Sequence, residues 1–183
     1  MSTDKEHHGV RHVLDKMQDM AGAVVGKASA AMGGAMSQSF VKNAMLSDLY
    51  AIRAGELALE RGVSRPVRAI ADKAIADHTM STQLLFAALG RSDWEGEEEV
   101  TQIDELDARR QTLIDHLEAA PAADFDRMYL DQQAAAHDEA RTLFSRYVSD
   151  GDDANLRSYA NSILPGLEAH ARAIAGAIDR FAM

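Results

Sequence analysis

Three histidines and a glutamate stand in this sequence where a water-soluble helical bundle normally carries leucine or alanine. Glu56, His78, His137 and His170 each fall on the apolar stripe of a different predicted helix. Burying an unpaired neutral polar group costs roughly 2 to 7 kcal/mol, so residues in such positions need partners, either each other or a metal ion. Imidazole nitrogens and carboxylate oxygens are the donors that hold zinc and other divalent ions. Asp77, beside His78, and Asp126, on the helix of His137, add two oxygen donors. The candidate metal-ligating set is therefore His78, His137, His170, Asp77, Asp126 and Glu56. Two chemistries fit it. One is a structural layer in which each histidine donates to a neighbouring carboxylate or carbonyl and fixes helix register. The other is a single divalent ion held by up to three imidazoles and a carboxylate. A helix rises about 1.5 Å per residue, which sets Asp126 about 16 Å from His137, so these two cannot share one ion.

Other chemistries lack their residues. A di-iron bundle needs a Glu on each of two helices and Glu-x-x-His on each of the other two. Here the residues three before His78, His137 and His170 are Ile75, Ala134 and Leu167. A haemerythrin-type site asks for more core histidines than three; His7, His8 and His12 lie near the N-terminus and His116 on a connecting helix. Gly-x-Ser-x-Gly, His-Glu-x-x-His and phosphate-cradling glycine loops are all missing from the sequence. No catalytic residue and no small-molecule substrate is identified, and the reading leans away from an enzyme.

The helices that must position the candidates follow from apolar spacing and from start and stop signals. Ser39 is placed to cap a helix from Phe40 to about Arg61, stopped by Gly62, with Met45, Leu49, Ile52, Glu56, Leu59 and Val63 on its stripe. Ser64 and Pro66 start the next helix, whose stripe is Val67, Ala71, Ala74, His78, Ser81, Leu85 and Ala88 before Gly90. So short a connection forces an antiparallel pair. Arg91 to Asp107 carries eight carboxylates against one arginine and reads as a solvated crossover leading into a helix from Ile103 to Ala119. Asp124 caps a third bundle helix, Phe125 to Ser149, with Leu130, Gln133, His137, Ala140, Phe144 and Tyr147 inward, and Gly151 stops it. The last helix starts at Asp152 or Asp153, extends to about Phe181 and carries Leu156, Ile163, Leu167, His170, Ile174 and Ala177 inward, with Pro165 expected to kink it one turn before His170.

Composition agrees with an all-α chain: 183 residues, three prolines and 5% aromatics. A net charge of -10 argues against nucleic acid as a partner, because displacing counterions from phosphates takes a basic face. Zero cysteines exclude disulfides and thiolate chemistry. The opening MSTDKEHH is no signal peptide, which gives a cytoplasmic expectation. Residues 20–36 are too short and too rich in Ala and Gly for a transmembrane helix and carry Lys27 in the middle. Residues 1–38 read as a separate helical arm, with 10–36 the stretch for homo-oligomer formation or peripheral membrane contact, and 39–183 as the bundle domain.

Five blocks together carry a resemblance: FVKNAM at Phe40, AGELAL at Ala54, IADHT at Ile75, FDRMYLDQQAAAH at Phe125 and LPGLEAH at Leu164. They resemble the bacterial family catalogued as domain of unknown function 4142, over about residues 39–180. The resemblance implies a ferritin-like antiparallel four-helix bundle with a helical crossover, and puts Asp77, His78, Asp126, His137 and His170 at the family's recurring polar positions. It implies a carboxylate where this chain has Ala51, an export signal where this chain has its arm, and a stress-linked role by association. The expected function is thus a non-enzymatic binding or scaffolding bundle with a buried His/Asp layer; the alternative is a metalloprotein holding one divalent ion.

Overall fold

The computed structural model describes residues 37–62, 64–92 and 103–181. Among these, all regular structure is helical. Helix α1 spans Ser37–Arg61, α2 Arg65–Leu89, α3 Ala108–Ala119, α4 Ala122–Asp150 and α5 Ala154–Phe181. Most of the arm, residues 1–36, lies outside the described residues, as do Val63 and the acidic stretch 93–102.

Local signals explain most boundaries. The Ser64 hydroxyl accepts from the Val67 amide and Pro66 occupies the first turn, so α2 starts where the sequence says. Asp107 caps α3 through the Arg110 amide, and Asp153 caps α5 through the Leu156 amide at 2.8 Å. Two caps differ from expectation. Ser39 lies inside α1, which already includes Ser37. Asp124 sits in the first turn of α4, where its charge suits the positive helix end, and Pro121 takes the cap position. Helix α3 begins at Ala108 rather than Ile103, with Asp107 at its cap. Helix α5 runs on through Pro165.

Four helices form the bundle. Helix α1 pairs with α2 through the tight connection at Gly62–Ser64, and α4 pairs with α5 across Gly151. Ser37 meets Tyr147 and Tyr50 meets Gln132, so α1 also runs antiparallel to α4. It follows that α2 and α4 point the same way, and the chain crosses the length of the bundle between them with α3 packed on α1 and α4. Helices α1 and α5 stand on one diagonal and α2 and α4 on the other.

The core is divided. One apolar cluster holds Phe40, Met45, Leu85, Leu143, Phe144 and Tyr147; Phe40 stacks on Tyr147 with ring centroids 3.9 Å apart. The other holds Val67, Leu113, Leu117, Phe125, Tyr129 and Ile174. Between them lies a polar waist containing Asp48, His78, His137 and His170, each less than a tenth exposed. The stripes read from the sequence for α2 and α4 are buried at every described position.

Helix α1 is the correction. Glu56 is exposed, and Leu49, Ile52 and Leu59 are only half-buried. The face turned inward is Phe40, Ala44, Asp48, Ala51, Ala54, Gly55 and Ala58, rotated from the expected stripe. Small residues win because α1 and α2 approach closely: a Cβ on Gly55 would lie 2.8 Å from Ile75 Cγ1 and 3.2 Å from the Ala71 carbonyl oxygen. Gly55→Val should therefore lower stability by about 1 to 3 kcal/mol through overpacking. Gly166, on α5, has nothing within 4 Å of its would-be Cβ, so Gly166→Ala should raise stability by about 0.5 to 1 kcal/mol. Urea unfolding of the two variants beside the parent checks both signs.

Candidate functional site

Each bundle helix sends one polar side chain to the waist: Asp48 from α1, His78 from α2, His137 from α4 and His170 from α5. The three imidazoles are mutual neighbours. Ring centroids are 5.7 Å apart for His78 and His137, 5.9 Å for His78 and His170, and 5.3 Å for His137 and His170.

Every ring has one nitrogen committed to an outer acceptor. His78 Nδ1 donates to Asp48 Oδ1 at 2.7 Å. His137 Nδ1 donates to the Gln133 carbonyl at 2.9 Å, one turn back on its own helix. His170 Nε2 donates to Asp77 Oδ2 at 2.7 Å. Carboxylates and carbonyls only accept, so the engaged nitrogen carries the proton and, in the neutral ring, the other keeps its lone pair. Those are Nε2 of His78, Nε2 of His137 and Nδ1 of His170. The first two are buried without a hydrogen-bond partner.

The surroundings favour neutral imidazole. Burial and the neighbouring His78 depress His137 from its ordinary value to about 3, against the opposing bond to Gln133. Burial also lowers His170, with Asp77 pulling the other way. Asp77 is 40% exposed and is shared with Lys73 Nζ at 2.7 Å. Burial raises its pKa, but the bonds and charges of Lys73 and His170 outweigh that and hold it below the usual carboxylate value.

The structure thus brings together His78, His137, His170 and Asp77, with the carboxylate bonded to the outside of a ring rather than facing the centre. Asp126 is buried elsewhere: it accepts from the Ser64 amide at 2.7 Å and ties α4 to the start of α2. Glu56 points to solvent and takes no part. Asp48 is the residue the sequence reading missed. It is 3% exposed, and Thr82 on α2 donates to its second oxygen at 3.2 Å. Its spacing from Ala44, Ala51 and Ala58 was the available signal. Below the rings on α4, the Gln133 carboxamide and the Tyr129 hydroxyl are also buried without hydrogen-bond partners, and burial raises the Tyr129 pKa.

A cleft of about 180 Å³ between α2 and α5 reaches the waist, lined by Asp77, His78, Met80, Ser81, Gly166 and His170 among others. The ring spacing is near what one ion needs. Three imidazoles bound to one zinc at about 2.0 to 2.1 Å have ring centroids roughly 5 to 5.5 Å apart. As the side chains stand, no three His, Asp or Glu among the described residues converge on a common ligating point, so drawing the lone pairs together would require the rings to move.

The depressed histidines fix a pH dependence. The unfolded chain takes up protons near 6.5 while folded His137 stays neutral to about 3, so stability falls as pH drops through that window, by up to about 1.4 kcal/mol per unit. His170 acts in the same direction. In chelator-treated protein, His137→Leu should flatten stability between pH 7 and 5 by close to one proton, measured by urea titration; parallel profiles for parent and variant would contradict a buried neutral ring.

A family model described as domain of unknown function (DUF4142) matches residues 22–176. Among solved structures, the crystal structure of a DUF305 fragment from Deinococcus radiodurans is similar, with a TM-score of 0.61 and 18% identity over 78% of this chain and 94% of that one. That likeness is one of fold. No curated protein matches the chain.

Proposed function

The chain belongs to the family described as domain of unknown function DUF4142, a description that names no activity, and from that premise we propose that it is a non-enzymatic, ferritin-like bundle that binds one divalent transition-metal ion at its waist. The observation that carries this reading is the set of three imidazoles from three helices, 5.3 to 5.9 Å apart, each held by an outer acceptor on one nitrogen. Metal-bound histidines characteristically donate their second nitrogen to a carboxylate or carbonyl, which fixes the tautomer and raises ligand basicity. Buried lone pairs on His78 and His137 with no donor to meet them are a cost to the fold that an ion would offset. Desolvation of His137 and His170 keeps these rings in the metal-binding form.

Three imidazoles and few carboxylates suit a single zinc-like ion better than a di-iron pair, which needs several charged oxygen donors. A hydrogen-bonded layer without metal is the second reading, favoured by the lack of convergence among these side chains as they stand. A bacterial cytoplasmic setting, a stress-linked role, and self-association or membrane contact through residues 10–36 belong to the proposal on sequence grounds; residues 10–36 lie outside the described ones. Among the described residues no helix is long and apolar enough to cross a membrane.

Metal content of tag-free protein purified without chelator, paired with melting before and after EDTA, tests the proposal. One ion per chain is expected, and free Zn²⁺ at a hundred times its dissociation constant should add about 2.7 kcal/mol of stability. His78→Ala, His137→Ala and His170→Ala should each remove that gain. Substoichiometric metal with a melt indifferent to EDTA would leave the hydrogen-bonded layer as the function of these residues.

A further inference from the structure

We propose that residues 20–36 dock in cis across the open side of the bundle, over α2 and α5, as α3 does on the opposite side. The inference stands apart from the metal reading.

The surface is the first argument. The bundle has two loosely packed sides, α1–α4 and α2–α5. Helix α3 lies over the first; among the described residues no helix lies over the second, where the cleft of about 180 Å³ opens. Both helices are free of charge at this level: residues 78–89 of α2 and 158–167 of α5 contain no Asp, Glu, Lys or Arg, in a chain that is 26% charged. The Ser81 and Tyr159 hydroxyls, 2.8 Å apart, set the two stretches side by side. Met80 and Leu84, one turn apart on α2, are 54% and 41% exposed. Beside them α5 exposes only small side chains at Ser158, Ser162 and Gly166, and a would-be Cβ on Gly166 meets nothing within 4 Å. An exposed apolar surface without charges marks a contact rather than a solvated face.

The occupant is the second. Residues 20–36 are apolar or small apart from Lys27. By their spacing Met20, Val24 and Ala28 share one helical face, and Gly22, Gly26 and Ala30 permit a close approach. The segment joins α1 at Ser37, whose bonds to Tyr147 and Asp152 place the junction at the end of the bundle where α2 stops and α5 starts. Residues 32–36 span at most about 16 to 18 Å when extended, while packed helices stand about 8 to 10 Å apart, so the side beyond α2 is within reach. The family match begins at residue 22, inside this segment. So short a tether supplies the segment at an effective concentration of order mM, which favours its own bundle over a second copy. Contact with a membrane or another copy draws on the same apolar residues and competes with this docking.

The chain has no cysteine, so pairs can be introduced cleanly. In the full chain carrying Val24→Cys and Leu84→Cys, a short bismaleimide should join the two positions within one chain. Val24→Cys with Thr112→Cys, exposed on α3, should give at least tenfold less. Without cross-linker, trypsin should cut at Lys27 at least tenfold faster in the Met80→Glu, Leu84→Glu double variant than in the parent; both positions are exposed, so the far-ultraviolet circular dichroism of the two should match. Cross-links between chains at micromolar protein would replace docking in cis by exchange between copies. Equal yields with Leu84→Cys and Thr112→Cys, or Lys27 cut equally fast in parent and double variant, would overturn the assigned face. Lys27 shielded only when phosphatidylglycerol vesicles are added would give the segment to a membrane instead.

Discussion

The bond between the Asp48 carboxylate and the His78 ring is the interaction on which the rest of the bundle depends. Both groups are almost fully buried, and leaving a buried hydrogen-bonding group without its partner costs about 1 to 3 kcal/mol. Neither group can be stranded, so α1 and α2 are held at one height and one rotation. His170 repeats the arrangement from α5 with Asp77 of α2, and His137 closes the ring of contacts with a bond to its own helix. Apolar packing alone would tolerate a slip along the bundle; this layer does not.

The waist also explains the shape of the core on either side. Where α1 and α2 pass closely, Gly55 faces the Ala71 carbonyl and the side chain of Ile75, and the buried residues beside them include Ala51, Ala54, Ala71 and Ala74. Bulk is supplied instead at the two ends. Phe40, Phe144 and Tyr147 fill one, and Leu117, Phe125 and Tyr129 the other. At the first end the Ser37 hydroxyl bonds both Tyr147 and Asp152, joining the start of α1 to the α4–α5 turn. At the second, Arg61 reaches the last carbonyls of α3 while its guanidinium lies over the Phe125 ring, 5.0 Å from its centroid.

The sequence made three of the four bundle helices legible because large apolar residues and histidines share one face there. Val67, Leu85 and His78 on α2, or Leu130, Phe144 and His137 on α4, fix a phase that the structure keeps. Helix α1 misled because its largest aliphatics, Leu49, Ile52 and Leu59, sit on the flanks while alanines and a glycine face inward. Size and burial part company where two backbones come close. Following the large residues promoted Glu56 and hid Asp48, one of the two carboxylates that the waist uses. Asp77 stood among the candidates, but its pairing did not, since Asp77 to His170 and Asp48 to His78 are contacts across helices, set by a close approach that apolar spacing does not encode.

Two apolar clusters separated by a hydrogen-bonded layer make this a molecule of two halves. Each half has its own closure, the Ser37–Tyr147–Asp152 contact at one end and α3 under Arg61 at the other. Opening at one end would leave the other cluster and the hydrogen-bonded layer in place, although all four helices run through both clusters. The waist thus ties the two ends of the bundle to one another, and its hydrogen bonds bear on how the bundle opens as much as on how it is packed.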